Sequence, residues 1–143
     1  MLRRITVRVA PVAAMVLVAL VGGARPSHGA TPVVFVDPRA TGSGDGSTWE
    51  NAFTQIGPAL AAAVPDSEVW VATGIYSPGL TATDTFGLLN DVGIFGGFAG
   101  DETERSQRDL AGNPTTLTGQ SRVRHVVSAI GVGTTAVLDG FTI

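Results

Sequence analysis

The sequence contains no cysteine and no lysine among its 143 residues. Without cysteine there is no disulfide framework, thiolate metal site, cysteine nucleophile or lipid-modified N-terminal cysteine. All nine basic residues are arginines, and charged residues make up only 15% of the chain. Such low charge, combined with 44% hydrophobic residues, argues against a disordered protein.

Glycine and proline are abundant instead, with 19 and 8 residues respectively. This composition is typical of a turn-rich β protein and not of a helical bundle. The length suggests one domain or part of one. We therefore predict an all-β fold.

The N-terminus has the layout of a secretory signal peptide. Met1–Arg8 is basic and lacks acids, Val9–Val21 is almost entirely apolar, and Gly22–Ala30 is small and polar. The apolar run is shorter than the roughly 20 residues of a membrane span, and Pro11 interrupts it. We predict a signal peptide over residues 1–29 and export to the extracellular space, the cell surface or the outer envelope.

Cleavage after Gly29, with Ala24 and Ala30 as alternative sites, leaves a mature domain of residues 30–143 with no stable membrane span. It removes four of the nine arginines, and the remaining five against twelve acids give a net charge near −7. Nucleic-acid binding requires a basic patch on the protein surface. We therefore expect no nucleic-acid partner.

Short strands, separated by Gly, Asn or Asp, are predicted throughout the mature chain. They are Val33–Val36, Glu68–Ala72, Ile75–Tyr76, Thr85–Leu89, Val92–Phe98, Thr115–Leu117, His125–Ser128, Thr135–Leu138 and Phe141–Ile143. Val92 lies midway in the sequence between Val69 and Thr115, and equal steps of this length are typical of a solenoid repeat. The alternative is a β-sandwich with one helix.

One amphipathic helix is predicted before the second strand. Ser47 and Glu50 fit a capping box, and apolar residues then recur at steps of three and four. These residues are Trp49, Phe53, Ile56, Leu60 and Val64. Because the terminal unit of a solenoid needs a cap, we expect this helix to cover the first coil, with a second helical piece or a kink at Gly57–Pro58.

The last residues, Leu138–Ile143, alternate like a strand, and no turn or cap follows them. Natural proteins normally protect such an edge. The expectation from this pattern is that the chain is the first part of a longer, truncated stack of strands.

Several fragments in order resemble the N-terminal region of bacterial secreted right-handed parallel β-helix proteins, which have a pectate-lyase-like fold. The fragments are Phe35–Asp37, Asp45–Trp49, Val69–Ala72, Gly74–Pro78, Val92–Gly100 and Leu138–Ile143. The resemblance implies mainly an architecture, a β-helix of a secreted or cell-surface protein. We predict a non-catalytic role in adhesion or carbohydrate binding, with polysaccharide or cell-surface glycans as partners. The alternatives are a polysaccharide lyase or glycoside hydrolase with its catalytic residues on coils outside this chain, and a small self-contained secreted binding domain.

The densest run of charged residues contains four carboxylates that could bind calcium, and this is the only cofactor that the sequence suggests. Its carboxylates are Asp101, Glu102, Glu104 and Asp109. The run lacks the alternating ligand spacing of a calcium loop, and Arg105 and Arg108 compensate its charge. We favour the simpler interpretation, a solvated loop with local acid–arginine pairs.

Other candidates have a structural interpretation that is simpler than the functional one. Asp37 and Asp45 flank a Gly/Ser-rich loop and are ordinary turn formers. His125 is the only histidine of the mature chain and has no evident Ser–Asp partners. Trp70 and Tyr76 are candidates for sugar stacking only if they face outward, and aromatic residues are mostly buried. No catalytic residue is assigned from the sequence.

Overall fold

The computed structural model describes residues 29–143. The predicted signal peptide, residues 1–29, lies outside this part of the chain apart from Gly29. The described residues form eight β-strands, one α-helix and one 3₁₀ turn. No helix among them is long and apolar enough to cross a membrane. This content is compatible with the predicted all-β class.

The strands are short, and most coincide with the predicted ones. They are β1 Val33–Val36, β2 Ser67–Ala72, β3 Gly74–Tyr76, β4 Phe86–Gly87, β5 Val92–Phe98, β6 Thr115–Leu117, β7 Val127–Ser128 and β8 Val137–Asp139. The helix α1 spans Ile56–Ala62, and the 3₁₀ turn spans Arg105–Gln107.

The strands form three parallel sheets, which the chain visits in rotation from β2 onward. Sheet A has the order β1-β2-β5-β8, sheet B pairs β3 with β6, and sheet C pairs β4 with β7. After β8 the chain returns to sheet B through a parallel bridge from Thr142 to Thr116. A β-sandwich is built from antiparallel sheets, so that alternative does not fit the pairing of the described strands.

The equal spacing of Val69, Val92 and Thr115 does not match the register of the paired strands, so it is not evidence for a structural repeat. In sheet A the partner of Val69 is Ile94, whereas Thr115 lies in sheet B and pairs with Gly74. The steps between paired strands also differ in length, because the connections differ. A single residue joins β2 to β3, whereas residues 99–114 lie between β5 and β6.

All three sheets contribute to one apolar interior. Val69 of β2 is buried there together with Tyr76 of β3, Phe86 of β4 and Leu117 of β6. Because side chains alternate across a strand, Trp70 points to the opposite, outer side of sheet A. Residues of all three sheets therefore share one apolar interior.

The helix is shorter than predicted and begins later. It starts at Ile56, so Pro58 lies in its first turn, where a missing N–H costs no helical hydrogen bond. Ile56 and Leu60 are buried against the interior, as expected for a cap. Trp49, Phe53 and Val64 are not helical, so their inclusion in the apolar helix face was wrong.

The predicted capping box does not form, because side chains organise residues 43–51 as turns. The Ser47 N–H donates to Asp45 Oδ1 at 2.9 Å, and the Asn51 N–H donates to Thr48 Oγ1 at 3.1 Å. Short polar side chains commonly compete with helix formation in this way. The helical spacing of Trp49 and Phe53 is therefore coincidental.

Residues 46–53 instead cover the free edge of β1. Phe35 N–H donates to Gly46 O at 3.0 Å, and Asp37 N–H donates to Phe53 O at 2.9 Å. Phe53 N–H donates back to Phe35 O at 2.9 Å. Covering an edge strand with a loop is a common protection against edge-to-edge association.

Aromatic residues pack on the outer side of sheet A. We call Phe35, Trp49, Trp70, Phe95 and Phe98 the outer aromatic cluster. The rings of Trp70 and Phe98 are stacked with centroids 4.8 Å apart, and Phe35 meets Trp49 edge-on at 4.8 Å. Phe98 is fully buried, so the cluster forms a second core.

Candidate functional site

The predicted calcium run, residues 101–109, lies on the outer aromatic cluster. The Glu102 carboxylate accepts backbone N–H groups from Ala99 at 2.6 Å, Gly100 at 3.0 Å and Asp101 at 3.2 Å. Burial acts to raise the pKa of Glu102, but these donors outweigh it and the pKa lies below its usual value. Trp49 Nε1 donates to the Glu102 carbonyl at 2.8 Å. Glu102 therefore holds the loop in place.

The other three carboxylates of the run do not converge with it. Glu104 caps the 3₁₀ turn through a capping box, and Asp109 Oδ1 accepts from the N–H groups of Ala111 at 3.0 Å and Gly112 at 2.9 Å. Asp101 is exposed. Among residues 29–143 no group of three or more His, Asp or Glu side chains is placed to hold a metal ion. The calcium hypothesis thus gains no geometric support.

The arginines of the run pair with distant acids and not with local ones. Arg105 Nη1 contacts Glu68 Oε1 at 2.6 Å, and its guanidinium lies 4.5 Å from the Phe95 ring centroid. Arg108 Nη2 contacts Asp139 Oδ2 at 2.8 Å, and its guanidinium lies 5.2 Å from the same centroid. The expectation of local acid–arginine pairs is wrong. Both arginines cover the second core through cation–π contacts.

The two aspartates that flank the Gly/Ser-rich loop have structural partners. Asp37 is buried and receives Arg39 Nε at 3.0 Å and Arg39 Nη2 at 2.9 Å, and this hydrogen-bonded carboxylate raises the pKa of Arg39. Asp45 accepts from Ser43 Oγ at 2.7 Å and from the Ser47 N–H at 2.9 Å. Hydrogen bonds from Ser47 and Ser43 lower the pKa of Asp45. Both aspartates organise turns.

Trp70 and Tyr76 are each only 5% exposed. Trp70 Nε1 donates to Glu68 Oε2 at 2.7 Å, and the Tyr76 hydroxyl donates to the Ala72 carbonyl at 2.9 Å. Burial raises the pKa of Tyr76 well above its usual value. Neither ring presents a face to solvent, so the hypothesis that they stack on sugars is wrong.

His125 is exposed and lines a shallow cavity with Asp84 and Ser128. The Asp84 carboxylate already accepts the Thr81 N–H at 2.8 Å. No described residue hydrogen-bonds to the imidazole, so the three side chains do not form a nucleophile–base–acid relay.

An open cleft of about 500 Å³ lies between the start of α1, strand β3 and the turn that follows β3. We call it the β3 cleft. Residues from three separate segments line it. The exposed ones are Thr54, Gln55, Ile75, Leu80 and Gln120, and Ser77 and Pro78 are partly buried. Its volume lies within the range of small-molecule sites.

The lining of the β3 cleft is uncharged and amphipathic. Ile75 is 74% exposed and Leu80 is 67% exposed, so both present apolar surface to the cleft. The amides of Gln55 and Gln120 make no side-chain hydrogen bond to another described residue. The cleft therefore offers apolar contacts beside neutral donors and acceptors.

The turn that carries Leu80 is held from behind by Asp84. A Cβ on Gly79 would clash with Asp84 Oδ2, so the carboxylate can approach only because residue 79 is glycine. Ser77 Oγ donates to the Gly79 carbonyl at 3.1 Å. Hydrogen bonds from Thr81 lower the pKa of Asp84. One wall of the cleft is thus formed in advance of any ligand.

A second groove, of about 390 Å³, crosses the start of sheet A. Asp66 and Asp91 occupy equivalent turns there with φ of 64° and 59°, a conformation that Asp tolerates better than most residues. Asp66 N–H donates to the Asp91 carbonyl at 2.7 Å, and Asp91 N–H donates to Thr135 Oγ1 at 3.1 Å. These contacts join successive turns of the chain, and we interpret them as structural.

No family model matches this chain, and no curated protein or solved structure is significantly similar to it. Its function is therefore inferred from fold and side-chain chemistry. Sequence reasoning missed the β3 cleft because its walls come from residues 54–56, 75–80 and 120. The one local signal was Leu80, an apolar residue in a polar turn.

Proposed function

We propose that this chain forms a right-handed parallel β-helix domain of an exported surface protein, which binds carbohydrate or mediates adhesion without catalysis. The observation that carries the proposal is the rotation of the strands through three parallel sheets around one interior. Crossovers between parallel strands are right-handed in about 98% of cases, which supports the handedness.

The first coil has the features of a capped end. Ile56 and Leu60 of α1 pack against the interior, and residues 46–53 pair with β1 through backbone hydrogen bonds. Solenoids need such a terminal unit for solubility. This supports an assignment of β1 and α1 as the cap of the β-helix.

The export part of the proposal is supported by the basic, apolar and small-residue order of the N-terminus. A fusion of residues 1–40 to a periplasmic reporter enzyme tests it. We expect export of the reporter and its loss with Leu17→Arg, because a charge interrupts the apolar segment. Retention of the unmodified fusion in the cytoplasm would contradict export.

The non-catalytic binding part of the proposal is supported by the structural roles of the charged side chains. Glu68, Glu102, Arg105 and Arg108 all take part in structural contacts, and the β3 cleft is lined by uncharged residues. General acid–base catalysis needs a titratable group within reach of the substrate. A binding role fits this chemistry better than a lyase or hydrolase reaction.

Retention of the full chain on immobilised polysaccharides tests this role. We expect retention on at least one polysaccharide without release of unsaturated products, measured by ultraviolet absorbance, or of new reducing ends. Product formation that scales with protein concentration would contradict the non-catalytic role. A lack of retention on every neutral and acidic polysaccharide would contradict carbohydrate binding.

A further inference from the structure

We infer that the β3 cleft is a binding subsite for a neutral oligosaccharide. The inference rests on the proposed carbohydrate-binding function and names its site and ligand class. The cleft holds about 500 Å³ and joins the cap to the outer side of sheet B. Of the acidic and aromatic candidates from the sequence, only Tyr76 borders the cleft, and its ring is buried.

The charge of the molecule favours a neutral ligand. No Asp, Glu, Arg or His side chain lines the cleft among the described residues. The chain after residue 29 has five arginines and twelve acids, so its net field repels polyanions such as uronates. An ionic ligand would find no opposite charge in the cleft to offset the loss of its hydration.

The pattern of the lining favours a sugar over an apolar peptide. A sugar ring has an apolar C–H face and hydroxyl groups that both donate and accept hydrogen bonds. Ile75 and Leu80 supply exposed apolar surface, and the amides of Gln55 and Gln120 each supply a donor and an acceptor. The side chains of an apolar peptide would offer these amides no partner, so only its backbone groups could pair with them.

The cleft is also partly preorganised. Asp84 fixes the turn of residues 79–84 through the Thr81 N–H, and α1 fixes the opposite wall through the buried side chain of Ile56. Less ordering on binding leaves more of the contact free energy as affinity. A preformed cleft can therefore bind an oligosaccharide with measurable affinity through few contacts.

The test is calorimetric titration of the purified full chain with cellohexaose, laminarihexaose and xylohexaose, after a screen on an array of neutral glycans. Hexagalacturonate and an apolar hexapeptide serve as comparison ligands. Gln120→Ala and Ile75→Ser alter the cleft at exposed positions. Val64→Ser is the matched control, because Val64 is 52% exposed and does not line the cleft. Thermal melting checks that each variant is folded.

We expect binding of at least one neutral glycan, weakened about five- to tenfold by Gln120→Ala, the scale of one lost hydrogen bond. Ile75→Ser should weaken it by a similar factor, and Val64→Ser should leave it unchanged. Glycan binding that neither cleft variant weakens would overturn the inference and leave the proposed function intact. Binding of hexagalacturonate alone would overturn the neutral class. Binding of the peptide alone, or of no glycan, would overturn both this inference and the proposed carbohydrate-binding function.

Discussion

At the scale of single residues, Glu68 links Trp70 of the outer aromatic cluster to Arg105, which covers the cluster. One carboxylate oxygen accepts Trp70 Nε1 at 2.7 Å and the other contacts Arg105 Nη1 at 2.6 Å. The Arg105 side chain is 47% exposed and that of Glu68 is 19% exposed. The ion pair is therefore largely screened, whereas the indole N–H has no other described acceptor.

Two substitutions separate these contacts. Glu68→Gln keeps an acceptor for Trp70 and should cost less than about 1 kcal/mol, the scale of an exposed ion pair. Glu68→Ala leaves the buried indole N–H unsatisfied and should cost about 1–3 kcal/mol more. Urea unfolding followed by tryptophan fluorescence measures both. Equal losses would show that the charge, and not the acceptor, stabilises the cluster.

The carboxylates with lowered pKa values predict an acid-sensitive fold. The pKa values of Asp45, Asp84 and Glu102 lie below their usual values, which are about 4 in an unfolded chain. Their stabilisation is complete above that value and is lost as the pH falls through the lower folded pKa values.

We expect a constant thermal midpoint from pH 8 to about pH 5 and a fall below about pH 4. Glu102→Gln should lower the midpoint at pH 7 and flatten its fall at acidic pH, because one titrating group is removed. A midpoint that rises on acidification would contradict the assigned directions.

At the scale of elements, α1 covers one side of the apolar interior. Leu60 is 8% exposed and Ile56 is 2% exposed, although the helix has only seven residues and no side-chain N-cap. Such a short helix is not stable by itself. Its packing against the interior must therefore hold it in place.

Leu60→Ser tests this role of the helix. Burial of a hydroxyl and loss of the leucine contacts should cost about 3–5 kcal/mol, and the uncovered interior should cause aggregation. Ala61→Ser is the control, since Ala61 is exposed on the same helix. Light scattering and urea unfolding give the readout. If Leu60→Ser stays monomeric with an unchanged midpoint, α1 is not a cap.

The elements also show which features could be predicted from the sequence. Val33–Val36, Val92–Phe98 and Thr115–Leu117 were predicted at their observed bounds, because alternation and turn residues are local signals. The helix start was wrong because the spacing of Trp49 and Phe53 mimics a helix face. The partners of Arg105 and Arg108, at Glu68 and Asp139, and the β3 cleft depend on long-range packing, which no local pattern contains.

At the scale of the whole molecule, the proposal depends on the winding of the chain through three parallel sheets. Ile75 and Thr116 are Cα partners in sheet B although they lie far apart in the sequence. Neighbouring parallel strands lie about 4.8 Å apart, within the Cα range of a disulfide. The chain has no cysteine of its own, so an engineered pair has no competing thiol.

Disulfide formation in Ile75→Cys/Thr116→Cys is the most direct measurement. We predict complete oxidation of the native protein, measured by thiol counting, with a raised urea midpoint because a long loop is closed. The control Ile75→Cys/Thr118→Cys is two residues out of register, and its thiols should stay reduced. Free thiols in the first pair, or equal oxidation of both pairs, would contradict the proposed winding.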